Sequence, residues 1–141
     1  MGCFEPEPRW TRAWSSFRDM EDPLAEPGAV AVEQVEGASV IALRGEHDLS
    51  TGPAIEAACD DAWAHSSSIV FDLAGATFID STVVGVMVSA RRRAAESGGT
   101  VAVVAPAGGP PARVLTLVGI NDVLPLHETR DEALRTISAP G

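Results

Sequence analysis

The tripeptide Asp80-Ser81-Thr82 places a nucleophilic hydroxyl beside a carboxylate, shortly after an apolar run. Asp80 is a good helix N-cap, because its carboxylate can accept the backbone N–H groups of the next residues. Ser81 then lies in the first helical turn, where free N–H groups and the helix dipole favour negative charge. The Ser81 hydroxyl is therefore a candidate for phosphorylation. Taken alone, such a tripeptide is more often only a helix cap.

The segments on either side of this tripeptide predict how it is positioned. Residues 69–73, IVFDL, are rich in β-branched and aromatic residues, which predicts a strand buried on both faces. Residues 74–78 contain a glycine and predict a short turn. From residue 81 onward, Val84, Met87, Val88 and Ala95 recur at helical spacing, which predicts a helix that ends at residues 97–99, SGG.

The rest of the chain alternates strand and helix patterns. Residues 29–36 and 39–44 predict a β-hairpin, residues 45–51 a polar loop, and Pro53 the first turn of an amphipathic helix. Further along, the patterns predict strands at 100–105 and 123–126, and helices at 112–118 and 128–137. The order ββαβαβαβα predicts an α/β fold, with about four helices packed against a mixed sheet.

Two sequence motifs resemble one known family. Residues 71–82, FDLAGATFIDST, resemble the phosphorylation-site motif of STAS-domain anti-sigma factor antagonists, in which a strand with Asp-Leu precedes F-[IM]-D-S-[ST]-G-L-G. Residues 45–53, GEHDLSTGP, are similar to the G-E-L-D-x-x-T-x-P segment of the same family. The resemblance covers about residues 28–138. Val83-Val84 stands where the family usually has Gly-Leu, and His47 replaces the usual Leu.

The resemblance implies a single STAS domain and a switch at Ser81. The unphosphorylated domain would bind an anti-sigma factor, itself a serine kinase, and release a sigma factor. Phosphorylation of Ser81 would end that complex, and a serine phosphatase would restore it. The predicted partner-binding residues are Asp48, Ser50, Thr51, Asp80, Thr82, Val83 and Val84, with Thr82 as a secondary phosphorylation candidate.

Composition limits the classes of partner. The chain has 20 acidic residues, 10 arginines, no lysine and a net charge of −10, so it is poorly suited to coating nucleic acid. Arg91-Arg92-Arg93 is best explained as a solvated helix end. No apolar run reaches transmembrane length and no signal peptide opens the chain. We therefore expect a cytoplasmic protein without a membrane or nucleic-acid partner, either a monomer or a weak dimer.

No pattern predicts an enzyme, a cofactor or a metal site. The segment 107–110, AGGP, lacks the lysine and the spacing of a phosphate-binding loop. The three histidines show no metal-ligand spacing. A hydrolytic triad of Ser81, His47 and Asp48 is not supported, because the nucleophile-elbow glycines and the expected residue order are missing.

The N-terminal residues 1–27 form a separate segment, and residues 139–141 a short tail. Several prolines within 1–27 interrupt any regular element, which favours a flexible extension. Trp10, Trp14 and Phe17 would nevertheless fall on one side of a short helix, together with three arginines. The alternative is that these rings dock on the domain or on a partner, since exposed large rings are a liability in water.

Three other functions stay open. A STAS protein could be regulated without phosphorylation, by partner abundance or by redox chemistry at Cys59, including a disulfide to Cys3, although a buried thiol without a role is the favoured interpretation of Cys59. The domain could instead be a scaffold in a larger assembly. It could also bind a small ligand or nucleotide, for which the sequence holds no pocket-forming motif.

Overall fold

The computed structural model describes residues 28–138. The predicted extension 1–27 and tail 139–141 lie outside the described residues. Within the described part, the strands are β1 (Ala29–Val35), β2 (Ala38–His47), β3 (Ile69–Ile79), β4 (Val101–Val104) and β5 (Leu126–His127). The α-helices are α1 (Gly52–Trp63), α2 (Ser81–Glu96), α3 (Pro110–Leu117) and α4 (Arg130–Ser138), with short 3-10 turns at Leu49–Thr51 and Ile120–Asp122.

The five strands form one mixed sheet in the order β1-β2-β3-β4-β5. The hairpin β1–β2 is antiparallel, and the pairs β2–β3, β3–β4 and β4–β5 are parallel. Each parallel step is made by a crossover that contains a helix, as parallel pairing requires. The predicted α/β class, the mixed sheet and the order ββαβαβαβα are confirmed.

The two faces of the sheet are covered unequally. Helices α1, α2 and α3 pack on one face and enclose the main core, which includes Ile41, Phe71, Leu73, Met87 and Leu115. On the other face, α4 packs on a small cluster of Val40, Val70, Ala102, Val104 and Ala133. Apolar burial is the dominant favourable term in folding, so the first face contributes most of the stability.

Arg130, the first residue of α4, ties that helix to the sheet. Its guanidinium donates to the Asp72 carboxylate on β3 from Nε at 3.1 Å and from Nη2 at 2.9 Å. Its Nη1 donates to Glu33 on β1 at 2.9 Å. These bonds raise the pKa of Arg130 above its usual value, chiefly through the bond to Asp72. One arginine therefore joins two strands to the start of α4.

Two predicted loops are wrong, because β2 and β3 are longer than expected. Residues 45–47 continue β2, and the predicted turn at 74–78 is part of β3. Irregular pairing explains the difference: the β2–β3 register shifts between Ala42 and Arg44 and again between Gly45 and Glu46. Extra residues in β3 disturb the period of two on which strand prediction depends. The last strand is also shorter than predicted, since residues 123–125 lie outside β5.

The residues that α2 buries differ from the predicted set of Val84, Met87, Val88 and Ala95. The helix buries Val83, Val86, Met87, Ala90 and Ala94, and of the predicted set only Met87 is fully buried. Val84 and Val88 lie half-buried at the margin of the core. The apolar residues of α2 are spread too widely around the helix for sequence alone to select the buried side. In the described part of the chain, no helix is both long enough and apolar enough to cross a bilayer.

Candidate functional site

The two sequence motifs meet where β2 and β3 end. The strands are parallel and neighbouring, and His47, the last residue of β2, pairs with Ile79, the last residue of β3. Asp48 and Asp80 each follow directly. Two acidic caps therefore stand at one edge of the sheet, each opening a helical segment, as expected for adjoining carboxyl ends of parallel strands.

Asp80 caps α2 as predicted. Its backbone is extended, with φ −122° and ψ −172°, and its carboxylate accepts the backbone N–H groups of Thr82 and Val83. The Oδ1 distances are 2.9 Å to the Thr82 nitrogen and 3.4 Å to the Val83 nitrogen. Two of the four free N–H groups at this helix end are thus satisfied.

Ser81 is the first residue of α2 and is exposed. Within residues 28–138, its hydroxyl has no hydrogen-bond partner. Thr82 and Val84 are half-buried, whereas Val83 is 0% exposed and belongs to the main core. Ser81, Thr82 and Val84 can therefore meet a partner, but Val83 supports the helix from inside.

The turn after β2 is built around Asp48. Asp48 caps the 3-10 turn Leu49–Thr51, and its Oδ1 accepts the Ser50 backbone N–H at 2.9 Å and the Ser50 hydroxyl at 2.6 Å. The Thr51 hydroxyl lies 3.1 Å from the Asp48 carbonyl oxygen. Both hydroxyls in this turn are thus engaged with Asp48, unlike that of Ser81.

The buried His47 side chain holds this turn against the end of β2, a role that sequence analysis missed. The ring is fully buried, with Nε2 2.9 Å from the Arg44 carbonyl oxygen and Nδ1 3.1 Å from Thr51 Oγ1. Because a carbonyl oxygen only accepts, Nε2 must donate in the first bond. Neither ring nitrogen bonds Ser81, so the geometry gives no support to a hydrolytic triad. The feature of the sequence that could have indicated this role is the histidine itself, which stands where the family usually has Leu.

Close backbone approaches bring the surrounding segments together. A Cβ on Gly52, the first residue of α1, would lie 3.0 Å from the Thr82 methyl group, so the starts of α1 and α2 adjoin. A Cβ on Gly28 would collide with the Glu46 carbonyl oxygen and would lie 3.0 Å from both His47 and Thr51. The chain thus enters the domain directly beside the Asp48 turn.

Two large apolar side chains are exposed in the segments that form this edge. Leu49 in the 3-10 turn is 74% exposed, and Phe78, next to the end of β3, is 48% exposed. Exposed apolar groups beside polar ones are typical of protein-interaction surfaces. We call the surface formed by Asp48, Leu49, Ser50, Thr51, Asp80, Ser81, Thr82 and Val84 the acceptor edge.

Cys59 lies on the buried side of α1 and is 6% exposed. Burial, aided by the charges of Asp60 and Glu56, raises the pKa of its thiol to about 12. It lines a groove of about 230 Å³ between α1 and α2, where the Arg93 guanidinium lies 5.3 Å from the Trp63 ring centroid and 3.8 Å from Asp60. The thiolate, which is the reactive form, is therefore scarce near neutral pH. Cys3 lies outside the described residues.

No metal site is apparent in the part of the chain that the structure describes. Among residues 28–138, no three His, Cys, Asp or Glu side chains are grouped so as to hold a metal ion. His65, in the turn after α1, contacts the Asp61 carbonyl oxygen at 3.0 Å. The acceptor edge itself presents the carboxylates of Asp48 and Asp80 and the hydroxyls of Ser50, Thr51, Ser81 and Thr82.

Solved structures share this fold. A crystal structure of an anti-sigma factor antagonist from Mycobacterium paratuberculosis matches 82% of this chain and 100% of its own, with 27% identity and a TM-score of 0.74. The anti-sigma factor antagonist SpoIIAA in its unphosphorylated form matches 79% of this chain and 100% of its own, at 23% identity and a TM-score of 0.63. The Bacillus cell fate determinant SpoIIAA in the phosphorylated form matches 77% and 99%, at 24% identity and a TM-score of 0.60.

A search of curated proteins finds no significant match. The family model of the STAS domain, in contrast, matches residues 29–133. That range runs from the first residue of β1 into α4 and takes in both motifs of the acceptor edge. The chain belongs to the STAS domain family.

Proposed function

We propose that this protein is an anti-sigma factor antagonist that is switched off by phosphorylation of Ser81. The observation that carries the proposal is the state of the Ser81 hydroxyl. It is exposed at the N-terminus of a sixteen-residue helix, and no group in the described part of the chain bonds it. A kinase can reach this hydroxyl without first breaking an internal hydrogen bond.

The acceptor edge is the proposed contact surface for the anti-sigma factor. Asp48 and Asp80 supply charge, the hydroxyls of Ser50, Thr51 and Thr82 supply hydrogen-bonding groups, and Leu49 with Val84 supplies apolar area. Val83 is excluded from this surface because it is buried in the core. With a net charge of −10, the chain is suited to a partner with a basic docking surface.

Phosphorylation would act on the complex more than on the fold. A phosphate on Ser81 adds about −1.5 to −2 charge at neutral pH. Within the free domain, the positive end of the α2 dipole offsets the repulsion from Asp80. In a docked interface, the same charge beside two carboxylates must be desolvated, which opposes binding. The domain can therefore stay folded while its partner is released.

The partner we propose is an anti-sigma factor that is also an ATP-dependent serine kinase, with a serine phosphatase to reverse the modification. The 27% identity to the Mycobacterium paratuberculosis antagonist, over its whole length, supports the antagonist role. The two forms of SpoIIAA, unphosphorylated and phosphorylated, share the fold of this chain. The kinase activity of the partner is inferred from the family motif around Ser81.

The test compares partner capture by four forms of the full chain. Wild type and Ser81→Ala should each retain from the source organism's lysate a protein that phosphorylates wild type at Ser81 in the presence of ATP. Ser81→Glu should lose this protein, because the added charge mimics the modified state. Ser97→Glu is the matched control: it adds the same charge at the exposed C-terminal cap of α2 and should bind like wild type.

Phosphate should be located by mass spectrometry after incubation with the captured kinase and ATP. Incorporation at Ser81 that is absent from Ser81→Ala supports the switch. Equal capture by wild type, Ser81→Glu and Ser97→Glu would show that Ser81 is only a helix residue. Incorporation at Thr82 in place of Ser81 would move the switch by one residue and contradict the assignment to Ser81.

The alternative is a STAS interaction or scaffold protein regulated without phosphorylation. Equal capture by all four forms, together with a large complex on size-exclusion chromatography, would favour this alternative. Its redox version is opposed by the burial of Cys59 and by the raised pKa of its thiol. Intact mass under non-reducing conditions tests that version directly, since a Cys3–Cys59 disulfide lowers the mass by two hydrogens.

A further inference from the structure

The face of the sheet that carries α4 is only partly covered. Helix α4 has nine residues and packs mainly on β3, β4 and β5. Nine helical residues extend about 13 Å, whereas the ten-residue strand β2 extends roughly 33 Å. Beyond the contacts of α4 with Val40 and Glu33, the rest of this face on β1, β2 and the end of β3 has no helix packed on it in the described part of the chain. We call this part the open face.

The open face has a floor of small side chains. Alternation along the strands places Ala31 and Ala42 on the same side as Val40, which packs against α4. A groove of about 350 Å³ runs between this floor and α4, lined by Ala42, Leu43, Arg44, Asp72, Ala74, Gly75 and Arg130. Phe78 pairs with Glu46, which lies two residues beyond Arg44 of this groove. Small residues leave room above the sheet that large rings can fill.

The N-terminal segment enters the domain beside the Asp48 turn, next to the open face. Gly28 packs against Glu46, His47 and Thr51, and the next residue, Ala29, pairs with Arg44 of the groove. The ten residues 19–28 can span up to about 33 Å. Residues 9–18 can therefore reach every part of the open face from the point where the chain enters.

We propose that residues 9–18, RWTRAWSSFR, bind the open face of the same chain. This segment supplies three large rings, Trp10, Trp14 and Phe17, and three arginines without an acidic residue. The rings match the alanine floor, and Arg44 offers a guanidinium for contact with an aromatic face. Arg9, Arg12 and Arg18 bring positive charge to a face on which the carboxylates of Glu33, Glu46 and Asp72 outnumber the guanidiniums of Arg44 and Arg130. Glu33 and Asp72 already bond Arg130, so the attraction comes from the net charge of the face.

A tethered occupant is favoured over an external one by concentration alone. A linker of this length holds the segment at a high effective concentration near the face. A second copy of the chain would bring another net charge of −10, which opposes self-association. The proposal is independent of Ser81, because neither the rings nor the floor belongs to the acceptor edge.

The test uses intrinsic fluorescence of the full chain. The three tryptophans are Trp10, Trp14 and Trp63, so Trp63→Phe leaves reporters only in the N-terminal segment. In this background we expect emission at short wavelength and low acrylamide quenching, both independent of protein concentration. Arg9→Glu, Arg12→Glu and Arg18→Glu, combined in one variant, leave the domain untouched and should shift the emission to longer wavelength and raise the quenching.

A second variant changes the face. Ala42→Arg fills the floor and should produce the same shift, with circular dichroism showing that the domain stays folded. Ala57→Arg, at an exposed position on α1, is the matched control and should leave the emission unchanged. Long-wavelength emission already present in the Trp63→Phe background would overturn the proposal. So would protection that appears only at high protein concentration, which indicates a second copy, or only on addition of a partner or of lipid vesicles.

Discussion

Two strand–turn–helix units meet at the acceptor edge. The first unit consists of β2, the 3-10 turn and α1, and the second of β3 and α2. In both, an aspartate follows the strand and accepts the N–H of the residue two positions later at 2.9 Å. The last strand residues are register partners, but one is the hydrogen-bonded imidazole of His47 and the other is the apolar Ile79.

The two units hold their turns by different interactions, and they differ in whether a hydroxyl is left available to a partner. In the first unit, side-chain hydrogen bonds engage His47, Ser50 and Thr51. In the second unit, apolar packing beneath Ile79 and Val83 holds the helix start, and the Ser81 hydroxyl has no bond in the described residues. Similar local sequences thus produce one turn whose polar groups are engaged and one that offers a hydroxyl to a partner.

The largest expected effect comes from removing the imidazole that distinguishes the first unit. His47→Ala truncates a fully buried side chain and leaves the Arg44 carbonyl oxygen without its donor. We expect a loss of about 3 kcal/mol in the free energy of unfolding, measured by urea denaturation. His65→Ala, at an exposed histidine in the turn after α1, should change the free energy of unfolding by less than about 0.5 kcal/mol.

His47→Leu sharpens the same comparison, because it makes the first unit apolar like the second. Volume is roughly kept, and only the hydrogen bonds are lost, so we expect a smaller loss of about 1–2 kcal/mol. If His47→Ala and His47→Leu were both as stable as wild type, the imidazole would not anchor the turn.

The buried sides of the two helices predict different behaviour at high pH. Helix α1 buries the Cys59 thiol, whereas the buried residues of α2 do not titrate. Folding raises the pKa of Cys59 from 9.0 to about 12, so above pH 9 the unfolded chain releases a proton that the folded chain keeps. Stability should therefore fall as pH rises through 9, and at pH 10 it should be about 1.4 kcal/mol below its value at neutral pH.

The measurement is urea denaturation of wild type and Cys59→Ala at pH 8, 9 and 10. The chain has no tyrosine and no lysine, so few other groups titrate in this range. The difference in the free energy of unfolding between wild type and Cys59→Ala should shrink as pH rises. A difference that stays constant from pH 8 to 10 would show that the thiol ionises as easily in the folded chain as in the unfolded one.

Cap removal should affect the second unit more than the first. Asp80→Ala removes the cap of a sixteen-residue helix that buries five residues, with an expected loss of about 1 kcal/mol. Asp48→Ala removes the cap of a three-residue turn that buries none, so we expect about half that loss. Thermal unfolding of both variants gives the comparison, and Asp80→Asn, which retains a capping oxygen, should remain near wild type. An equal loss from Asp48→Ala and Asp80→Ala would mean that the two caps are equivalent.

Sequence reasoning reached the fold and the two motifs because both rest on local patterns. Alternating strand and helix periods gave the order of elements, and the Asp80 cap follows from residue type alone. It failed where tertiary contacts decide. The bulged pairing that extends β3 through residue 78, the anchoring bonds of His47 and the burial of Val83 all depend on which segments become neighbours. A hydroxyl's availability is also invisible in sequence, since Ser50 and Ser81 each lie within two residues of an aspartate.

The smallest expected effect tests that last point. Ser50→Ala removes a 2.6 Å bond to the Asp48 carboxylate, so it should lower stability by about 0.5 kcal/mol at an exposed position. Ser81→Ala removes a hydroxyl that has no such bond, and at the first turn of a helix alanine is well tolerated, so stability should stay within about 0.2 kcal/mol of wild type. Paired urea denaturation curves at neutral pH resolve the order of the two variants. If Ser81→Ala were the more destabilising, its hydroxyl would have a structural role, and the contrast between an engaged and an available serine would be lost.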